Sequence, residues 1–375
     1  MVRQAAHPAA CAVRFTSADA DAQTRERLLE AFARGDFATW PYGDERAKHA
    51  SDPAAILAGA KSVVCIAVAY ATKPPKRAPL AGRVSNYAWS HDYHARMRSL
   101  LLRVARHLDD AIGAPVTAVA CDTKPIAERA FAARSGLGWI GKHTNLIAPS
   151  LGSYVYLGEI VTTLALQADA PLVKSCGACA RCVQRCPTGA LRGDYTIDAT
   201  RCISDLTQRK DGIPRALRPL VGQWVWGCDI CQEVCPPTQQ AAFRGSADDE
   251  PASGTSAAPD LVRLLRMRGG EFRRDFAATA MGWRGAAVLR RNAAVALGNA
   301  LDRSTVPALL EALQCDRSAM VRGHVAWALG RIGSRSAIDG LRTAAQRESN
   351  RDVREEIDLA VAAVSSAHLA NAPRW

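Results

Sequence analysis

Two closely spaced runs of cysteine constrain this 375-residue chain more than any other feature. The runs are Cys176-x2-Cys179-x2-Cys182-x3-Cys186-Pro187 and Cys228-x2-Cys231-x3-Cys235-Pro236, with Cys202 between them. Thiolates spaced in this way and closed by Cys-Pro form the bacterial ferredoxin pattern for a [4Fe–4S] cluster. A disulfide framework is typical of small secreted proteins, and this chain is large. The sequence therefore predicts a cluster-binding segment.

The spacing also predicts how the ligands divide between two clusters. In the ferredoxin pattern three cysteines of a run bind one cluster and the fourth binds the other. We expect the first set to be Cys176, Cys179, Cys182 and Cys235, and the second to be Cys186, Cys202, Cys228 and Cys231. Zinc also takes thiolates, but its sites come as two cysteine pairs with a dozen or more residues between them.

The remaining four cysteines are scattered, and we expect them to be structural. They are Cys11, Cys65, Cys121 and Cys315. Since all eight clustered thiolates are used as ligands, the centre that reacts with a substrate must lie elsewhere in the chain.

Hydrophobic patterns divide the rest of the chain into blocks. Residues 1–170 alternate strands and helices, which predicts an α/β layer. The expected helices are Ala20–Arg34, Tyr93–Ile112 and Pro125–Ser135, and the expected strands are Ser62–Tyr70, Val116–Ala120 and Tyr154–Leu166. Residues 171–243 form the ferredoxin-like block, and 244–259 are a polar linker rich in small residues.

Residues 260–375 repeat themselves at an interval of 32 residues. Asn292-Ala-Ala-Val-Ala-Leu-Gly298 aligns with His324-Val-Ala-Trp-Ala-Leu-Gly330, and Val321-Arg322 aligns with Val353-Arg354. Each unit has the pattern helix, turn, helix, which is typical of HEAT-like repeats in an α-solenoid. Such a solenoid usually binds something along its concave face, although a purely structural cap is the alternative.

The charge of the chain favours a polyanionic partner. Lys and Arg exceed Asp and Glu by 48 to 36, a net charge of +12. The excess is +5 in residues 1–170, +1 in 171–254 and +6 in 255–375, where every basic residue is Arg. Arginine suits bidentate contacts with phosphate, although a solvated basic surface is the alternative reading. The longest apolar run, Val63–Ala71, is too short to span a membrane, and no secretory signal is recognisable at the N-terminus.

Four further segments accompany the cysteines. They are Tyr87-Ala-Trp-x-x-Asp-Tyr-His94, Asp122-Thr-Lys-Pro-Ile-Ala-Glu-Arg129, Gly136-Leu-Gly-Trp-Ile-Gly-Lys-His143 and Gly152-Ser-Tyr-Val-Tyr-Leu-Gly-Glu159. In this order, and with both cysteine runs, they resemble the epoxyqueuosine reductase family over residues 25–240. The chain departs from the family after Ser204, where Asp205-Leu-Thr-Gln-Arg209 replaces the usual Tyr-Leu-Thr-Ile-Glu.

The resemblance implies a reaction and its cofactors. The family reduces the epoxide of epoxyqueuosine, at the wobble position of certain tRNAs, to the alkene of queuosine. Electrons pass through two [4Fe–4S] clusters to a base-off cobalamin, so the α/β block would be the cobalamin-binding domain. Asp122 matches the family's proton donor, and a helix cap is its alternative role. An acid that works at neutral pH would need a raised pKa, which an apolar pocket supplies.

The resemblance also implies contact residues. For the cofactor these are Arg46, Tyr87, Asp122, Lys142, His143, Asn145, Ser153 and Ser204. For tRNA they are Ser204, Arg209, Lys210, Arg322 and Arg354. The glycines of Gly136–Gly141 would let the corrin lie against the backbone, and His143 would make a polar contact rather than bind cobalt. Arg322 and Arg354 occupy equivalent repeat positions, where a contact between helices is the alternative.

Two other classes of protein share part of this pattern. A reductive dehalogenase has a cobalamin domain and a ferredoxin module, but is typically exported with a twin-arginine signal and has no use for a basic solenoid. An electron carrier with docking repeats would not need the α/β block. We therefore expect a cytoplasmic, monomeric enzyme that acts on tRNA, makes no membrane contact, and takes electrons from a flavodoxin or ferredoxin.

Overall fold

The computed structural model describes residues 11–241, 243, 245 and 257–370, with the side chains of all but 11 and 364–370. Most of the predicted linker, 244–259, lies outside the described residues. The chain forms two compact units that interleave along the sequence. The first comprises Met1–Lys73, Ser90–Cys202 and Asp229–Glu250, and the second comprises Pro74–Trp89, Ile203–Cys228 and Pro251–Trp375. The predicted boundaries at 170 and 243 stay predictions, because the cysteine segment contributes to both units.

The described strands are short apart from three. They are β1 (Cys11–Ser17), β2 (Ser62–Ala69), β3 (Arg83–Val84), β4 (Thr117–Ala120), β5 (Trp139–Ile140), β6 (Leu146–Ile147), β7 (Val155–Thr162) and β8 (Trp224–Trp226).

The helices of the cysteine segment and before it are α1 (Ala22–Ala33), α2 (Asp44–Ser51), α3 (Tyr93–Ile112), α4 (Glu128–Arg134), α5 (Arg181–Arg185), α6 (Ile203–Gln208), α7 (Arg218–Val221), α8 (Ile230–Glu233) and α9 (Pro236–Ala241). Those that follow are α10 (Leu261–Arg266), α11 (Gly269–Asp275), α12 (Ala286–Ala300), α13 (Val306–Cys315), α14 (Ala319–Ile332), α15 (Arg335–Ala345) and α16 (Arg351–Ala370). Short 3₁₀ turns lie at Pro53–Ala55, Asn86–Ala88, Gly282–Arg284 and Arg303–Thr305.

A four-stranded antiparallel sheet is the centre of the first unit. Its strand order is β1-β2-β7-β4, and the register pairs Cys65 of β2 and Ala120 of β4 with Glu159 of β7. Every residue of β2 is buried, as its continuous apolar sequence predicts. The sheet places the end of β4, and the loop that follows it, beside the central strands.

Helices cover both faces of this sheet. On one face α3 packs so closely that a Cβ added at Gly158 would lie 2.8 Å from the Leu101 side chain. On the other face Phe131 and Ala132 of α4 join the core formed by Val63 and Val161. The helix α3 has the predicted bounds because Asp92 caps its N-terminus and Gly113, with φ +76°, ends it. The predicted α/β layer is confirmed.

The second unit contains the predicted repeat. The helices α12 to α16 form the helix-turn-helix series, and their buried faces carry Ala293, Val325 and Ile357 at successive repeats. Close packing explains two glycines of the aligned motif. A Cβ at Gly298 would lie 2.7 Å from the Trp327 ring, and one at Gly330 would lie 2.6 Å from the Ala360 Cβ. The HEAT-like solenoid is confirmed.

One position of the repeat binds the protein's own chain. Asn292, His324 and Glu356 are 32 residues apart, and each contacts the segment 203–228. Asn292 Nδ2 donates to the Thr207 carbonyl at 2.7 Å, and His324 Nε2 accepts from the Ile213 amide at 3.0 Å. Glu356 accepts hydrogen bonds from two arginines of that segment. The repeats thus contact an internal segment of the second unit, and a partner on the concave face of the solenoid stays a prediction.

Among the described helices, none is long and apolar enough to cross a lipid bilayer.

Candidate functional site

The predicted proton donor lies in the loop between β4 and α4. Asp122 follows the end of β4 by two residues and has φ +51°, a left-handed conformation that is uncommon outside glycine. Its backbone amide donates to Glu128 Oε1 at 2.5 Å, and its side chain remains 60% exposed. The first residue of α4 thus fixes the backbone of the loop, while the carboxylate stays open to a ligand.

A histidine on α3 holds the carboxylate of Asp122. His94 Nε2 lies 2.9 Å from Asp122 Oδ2, and His94 Nδ1 lies 2.6 Å from Asp92 Oδ1. Asp92 also caps α3 by accepting from the His94 amide at 3.1 Å. Because the cap sets both the backbone and the ring of His94, the imidazole is directed at Asp122 by local sequence.

The pKa values in this group differ from the expectation. The hydrogen bond from His94 holds the pKa of Asp122 below its ordinary value, although burial opposes this. The same hydrogen bond, and then that to Asp92, raises the pKa of His94 to about 9. The raised pKa expected for Asp122 is therefore wrong for this arrangement. At neutral pH the proton lies on His94, and Asp122 is a carboxylate.

Two carboxyl groups lie behind the Asp122 loop. Burial raises the pKa of Glu128 to about 7, and it raises that of Glu159 well above the ordinary value. Glu159 is 0% exposed, and its carboxyl lies beside that of Glu128. The charge of Glu128 and a hydrogen bond between the two carboxyl groups add to the rise in the pKa of Glu159. Burial favours the neutral acid, so the fold stabilises the protonated form of Glu159.

Stacked aromatic rings surround His94. The Tyr93 ring lies 4.1 Å from the His94 ring and 4.5 Å from that of Tyr156, and Tyr70 stacks on Tyr156 at 4.4 Å. Sequence reasoning quoted Tyr93, His94, Glu128 and Glu159 as parts of motifs but gave them no role. Their presence in the same motifs as Asp122 was the available signal.

The glycine-rich motif forms a small hairpin of β5 and β6. A Cβ at Gly136, which has φ +73°, would lie 2.1 Å from the Ala170 carbonyl oxygen. One at Gly138 would lie 2.5 Å from the Ile147 carbonyl oxygen. Packing of the chain on itself thus explains both glycines, so they need no corrin to account for them.

The tautomer of His143 bears on the expected contact with cobalamin. Its Nδ1 accepts from the Asn145 amide at 3.2 Å, so the hydrogen of the neutral ring lies on Nε2. Burial lowers the pKa of His143 to about 4, which keeps the ring neutral. The buried Nε2 has no partner. An N–H has no lone pair for cobalt, so this arrangement suits donation to an acceptor and not metal ligation.

Several of the other predicted cofactor residues of the first unit already contact other residues of the protein. The Arg46 guanidinium lies 5.0 Å from the Tyr42 ring centre, and Lys142 Nζ donates to the Gly177 carbonyl at 2.9 Å. Ser153 is buried, and its hydroxyl donates to Gln232 Oε1 at 2.9 Å. Asn145 is half-buried. Ser153 thus has a structural role, and the cofactor roles stay predictions.

Two predicted residues lie in the second unit. The Tyr87 hydroxyl accepts from Trp226 Nε1 at 2.9 Å. Ser204 lies on α6, where its hydroxyl accepts from Gln208 Nε2 at 3.2 Å. Nothing in these contacts assigns either residue to a cofactor or to tRNA, and both roles stay predictions.

None of the eight predicted cluster ligands forms a disulfide bond. Apart from burial, the thiols that raise the pKa of Cys182 are Cys176 and Cys235. Cys235 is affected in the same way by Cys176 and Cys179. These proximities agree with the crossed assignment of Cys235.

The second set is described in part. After burial, Cys202 is the first group that raises the pKa of Cys231, and Cys186 also contributes, as does Cys182 of the other set. Cys228 belongs to the second unit, as the last residue of its stretch Ile203–Cys228, so its place in the set stays a prediction. No three described His, Cys, Asp or Glu side chains converge on one point as a single metal ion requires. A cubane does not require this, since each thiolate binds a different iron.

Some of the predicted tRNA residues are paired with acidic side chains of this chain, and others are exposed. Arg209 pairs with Asp211, and Arg322 forms two hydrogen bonds of 2.7 and 2.8 Å with Glu348. In the previous repeat Arg290 pairs with Asp316 in the same way. Arg322 therefore joins its helix to the turn of the next repeat, in keeping with its alternative role, and its contact with tRNA stays a prediction. Lys210 and Arg354 are exposed.

Family models match three parts of the chain. Residues 51–123 match "Epoxyqueuosine reductase QueG, DUF1730", residues 175–238 match a 4Fe-4S double cluster binding domain, and residues 284–362 match HEAT repeats. Among curated relatives, the epoxyqueuosine reductase of Bacillus anthracis is 35% identical over 272 residues, which is 71% of each chain.

Solved structures resemble the chain over nearly its whole length. An epoxyqueuosine reductase solved with an epoxyqueuosine-modified tRNA-Tyr stem loop gives a TM-score of 0.89 at 31% identity, covering 97% of this chain and 96% of that one. The Bacillus subtilis epoxyqueuosine reductase gives 0.87 at 32% identity, covering 94% of each chain. That protein was solved with its catalytic aspartate loop swung out of the active site.

Proposed function

Because the chain belongs to the epoxyqueuosine reductase family, we propose that it reduces the epoxide of epoxyqueuosine in tRNA to the alkene of queuosine. The observation that carries the proposal is the placement of Asp122. Its exposed carboxylate projects from a loop fixed by Glu128 and is hydrogen-bonded to a charged histidine. Opening an epoxide develops an alkoxide, and a proton donor must stand where that charge appears.

The residues fit the family's cofactors in two respects. The proximity of Cys235 to Cys176 and Cys179 supports the crossed ligand sets, and the buried N–H of His143 is free to donate to a corrin amide. Lys142, His143 and Asn145 would hold the cofactor together with Arg46. When bound, the cobalamin supplies low-potential electrons that arrive through the two [4Fe–4S] clusters.

The chain's own residues position the substrate and move protons. Asp122 stands at the carboxyl end of β4, where the loop leaves its side chain accessible. The modified base must leave the anticodon stack to reach such a carboxylate, since enzymes that act on a base remove it from the stack. Exposed basic residues such as Lys210 and Arg354 would contact phosphate, and their contribution would weaken with salt.

We place the reaction in the cytoplasm, with a flavodoxin or ferredoxin as electron donor and the enzyme as a monomer. The net charge of +12 supports a polyanionic substrate. Light scattering of the purified protein in the presence and absence of tRNA would test the monomer.

The test is turnover by the reconstituted protein. We expect protein with both clusters and cobalamin, given a low-potential reductant, to convert epoxyqueuosine-containing tRNA to queuosine. Asp122→Asn should bind cobalamin and tRNA normally but lose about 100-fold or more in turnover, because its side chain cannot give up a proton. No queuosine from fully loaded wild-type protein would overturn the function, and full turnover by the variant would overturn the role of Asp122.

A further inference from the structure

The proposed reaction needs more protons than one carboxyl group can hold. Reduction of an epoxide to an alkene consumes two electrons and two protons and releases water. The first C–O cleavage places a proton on the oxygen, which becomes a hydroxyl. The second cleavage closes the double bond, and the hydroxyl leaves with another proton as water. The electrons come from the low-potential donor, so the protein must deliver two protons at nearly the same place.

Asp122 is part of a line of three ionisable side chains. His94 stands between Asp92, at 2.6 Å from Nδ1, and Asp122, at 2.9 Å from Nε2. An imidazolium has two N–H groups, and here each is directed at one carboxylate. The ring is also held by stacking on Tyr93. The ring thus has one partner at the N-cap of α3, Asp92, and one in the catalytic loop, Asp122.

The proton of the pair lies on the histidine. Hydrogen bonds to Asp122 and Asp92 raise the pKa of His94 to about 9, and the same pairing lowers the pKa of Asp122. Three other titratable groups face Asp122: Arg129 and Tyr93, which also lower the pKa of Asp122, Tyr93 through a hydrogen bond, and Glu128, whose carboxylate accepts from the Asp122 amide. At neutral pH Asp122 is ionised, so a second group has to protonate it.

We propose that His94 holds the proton that Asp122 delivers and reloads Asp122 between the two C–O cleavages. The inference rests on the proposed function. As negative charge develops on the substrate oxygen, the Nε2 proton moves onto Asp122 Oδ2, and Asp122 donates its proton to the oxygen. His94 is 31% exposed and regains a proton from solvent before the second cleavage. Asp92 keeps the ring oriented and stabilises the returning charge.

Chemical rescue separates proton supply from a structural role. In His94→Ala we expect turnover at saturating tRNA to fall about 100-fold, with KM for tRNA unchanged. Added imidazole should restore turnover in proportion to its protonated form. His94→Gln, which keeps a hydrogen bond to Asp122 but carries no exchangeable charge, should stay slow. His91→Ala is the matched control, because His91 is exposed on the same segment, and its turnover should equal that of the wild type.

The pH profile gives a second readout. Wild-type turnover should decline as the pH rises past about 9, where His94 loses its proton, and this limb should be absent in His94→Gln. Undiminished turnover in His94→Ala, or a loss that appears only in KM and does not respond to imidazole, would overturn the proposal.

A measurement without turnover distinguishes this proposal from the proposed function. Nuclear magnetic resonance of ¹⁵N-labelled histidine should show the His94 ring protonated on both nitrogens up to a pH of about 9 in the wild type, and titrating lower in Asp122→Asn. A His94 pKa near the ordinary value would overturn the relay even in an active enzyme. If the wild type forms no queuosine while His94 titrates as expected, the proposed function is wrong, but the assignment of the proton to His94 is supported.

Discussion

Glu159 is a buried acid in the central sheet to which the sequence alone assigned no role. It lies in a strand beside Ile160 and Val161, which are fully buried, and its carboxyl faces that of Glu128. A buried carboxyl that faces another acid costs free energy when ionised, so the folded state favours its protonated form. Glu128 in turn accepts a hydrogen bond from the Asp122 amide, which connects Glu159 to the catalytic loop.

Glu159 should make the stability of the folded protein depend on pH. Folding raises the pKa of Glu159, so the folded state binds more protons than the unfolded state. The free energy of unfolding therefore falls as the pH rises above the pKa of the unfolded chain, about 4.3, and continues to fall until the pH passes the pKa of the folded protein. Glu159→Gln is permanently neutral. We expect this variant to unfold at higher denaturant concentration than the wild type at pH 8, and to differ little at pH 4.

Chemical denaturation at several pH values measures this effect. Glu26→Gln is the control, because Glu26 is exposed on α1, and its curve should follow that of the wild type. Equal stability of Glu159→Gln and the wild type at pH 8 would mean that Glu159 is not a neutral acid in the fold.

At this scale the sequence reveals residue types and not their partners. Asp122 was identified by resemblance, but His94 is 28 residues away and meets it only through the packing of α3 beside the loop. The direction of the Asp122 pKa followed from that contact, so the prediction made without it was wrong. The tautomer of His143 likewise depends on a single backbone amide.

At the scale of elements, local signals predicted the long helices and the repeat well. The bounds of α3 follow from Asp92 and Gly113. The helix predicted at Pro125–Ser135 begins only at Glu128, because the left-handed turn at Asp122 and the proline delay it. No strand was predicted for β1, whose place at the edge of the sheet is set by pairing with β2 along its whole length.

Different positions of the repeat contact different parts of the chain. Arg290 and Arg322 pair with acids 26 residues later and join neighbouring repeats, whereas Asn292, His324 and Glu356 contact the segment 203–228. The 32-residue interval was visible in the sequence. The positions that face the internal segment were not visible, because Asn, His and Glu differ in charge and shape and form no recognisable repeat motif.

Glu356 should be the strongest single anchor of that segment. Its carboxylate accepts from Arg218 at 2.6 Å and from Arg215, and the Arg218 side chain is only 7% exposed. Glu356→Ala leaves the Arg218 guanidinium buried without its charged partner, so we expect a loss of about 3 kcal/mol in the free energy of unfolding. Urea denaturation measures it.

The neighbouring residue provides a matched control for this prediction. Glu355 is exposed on the same helix, and Glu355→Ala should change the free energy of unfolding by less than about 0.5 kcal/mol. Equal effects of the two substitutions would show that the contacts with Arg215 and Arg218 add nothing beyond a surface charge.

At the scale of the whole molecule, the family and the kinds of fold were predictable, but the arrangement of the chain was not. The α/β layer, the double-cluster segment and the HEAT-like repeats are confirmed. The two compact units, however, are each assembled from three separated stretches. Contacts between distant parts of a chain decide such units, and periodicity along the sequence reports only local structure.

The crossed assignment of the cysteines is the feature of the whole chain that can be tested most sharply. Loss of one ligand should remove one cluster, so Cys235→Ser should lower the iron content from about eight to about four per chain. If Cys235 binds with the first run, adding Cys176→Ser removes nothing further, whereas adding Cys231→Ser removes the second cluster. A sequential assignment predicts the reverse, since Cys231 and Cys235 would then share a cluster. Iron and acid-labile sulfide analysis of the two double variants, prepared anaerobically with a wild-type control, therefore distinguishes the two arrangements, and four irons in Cys231→Ser/Cys235→Ser would overturn the crossed one.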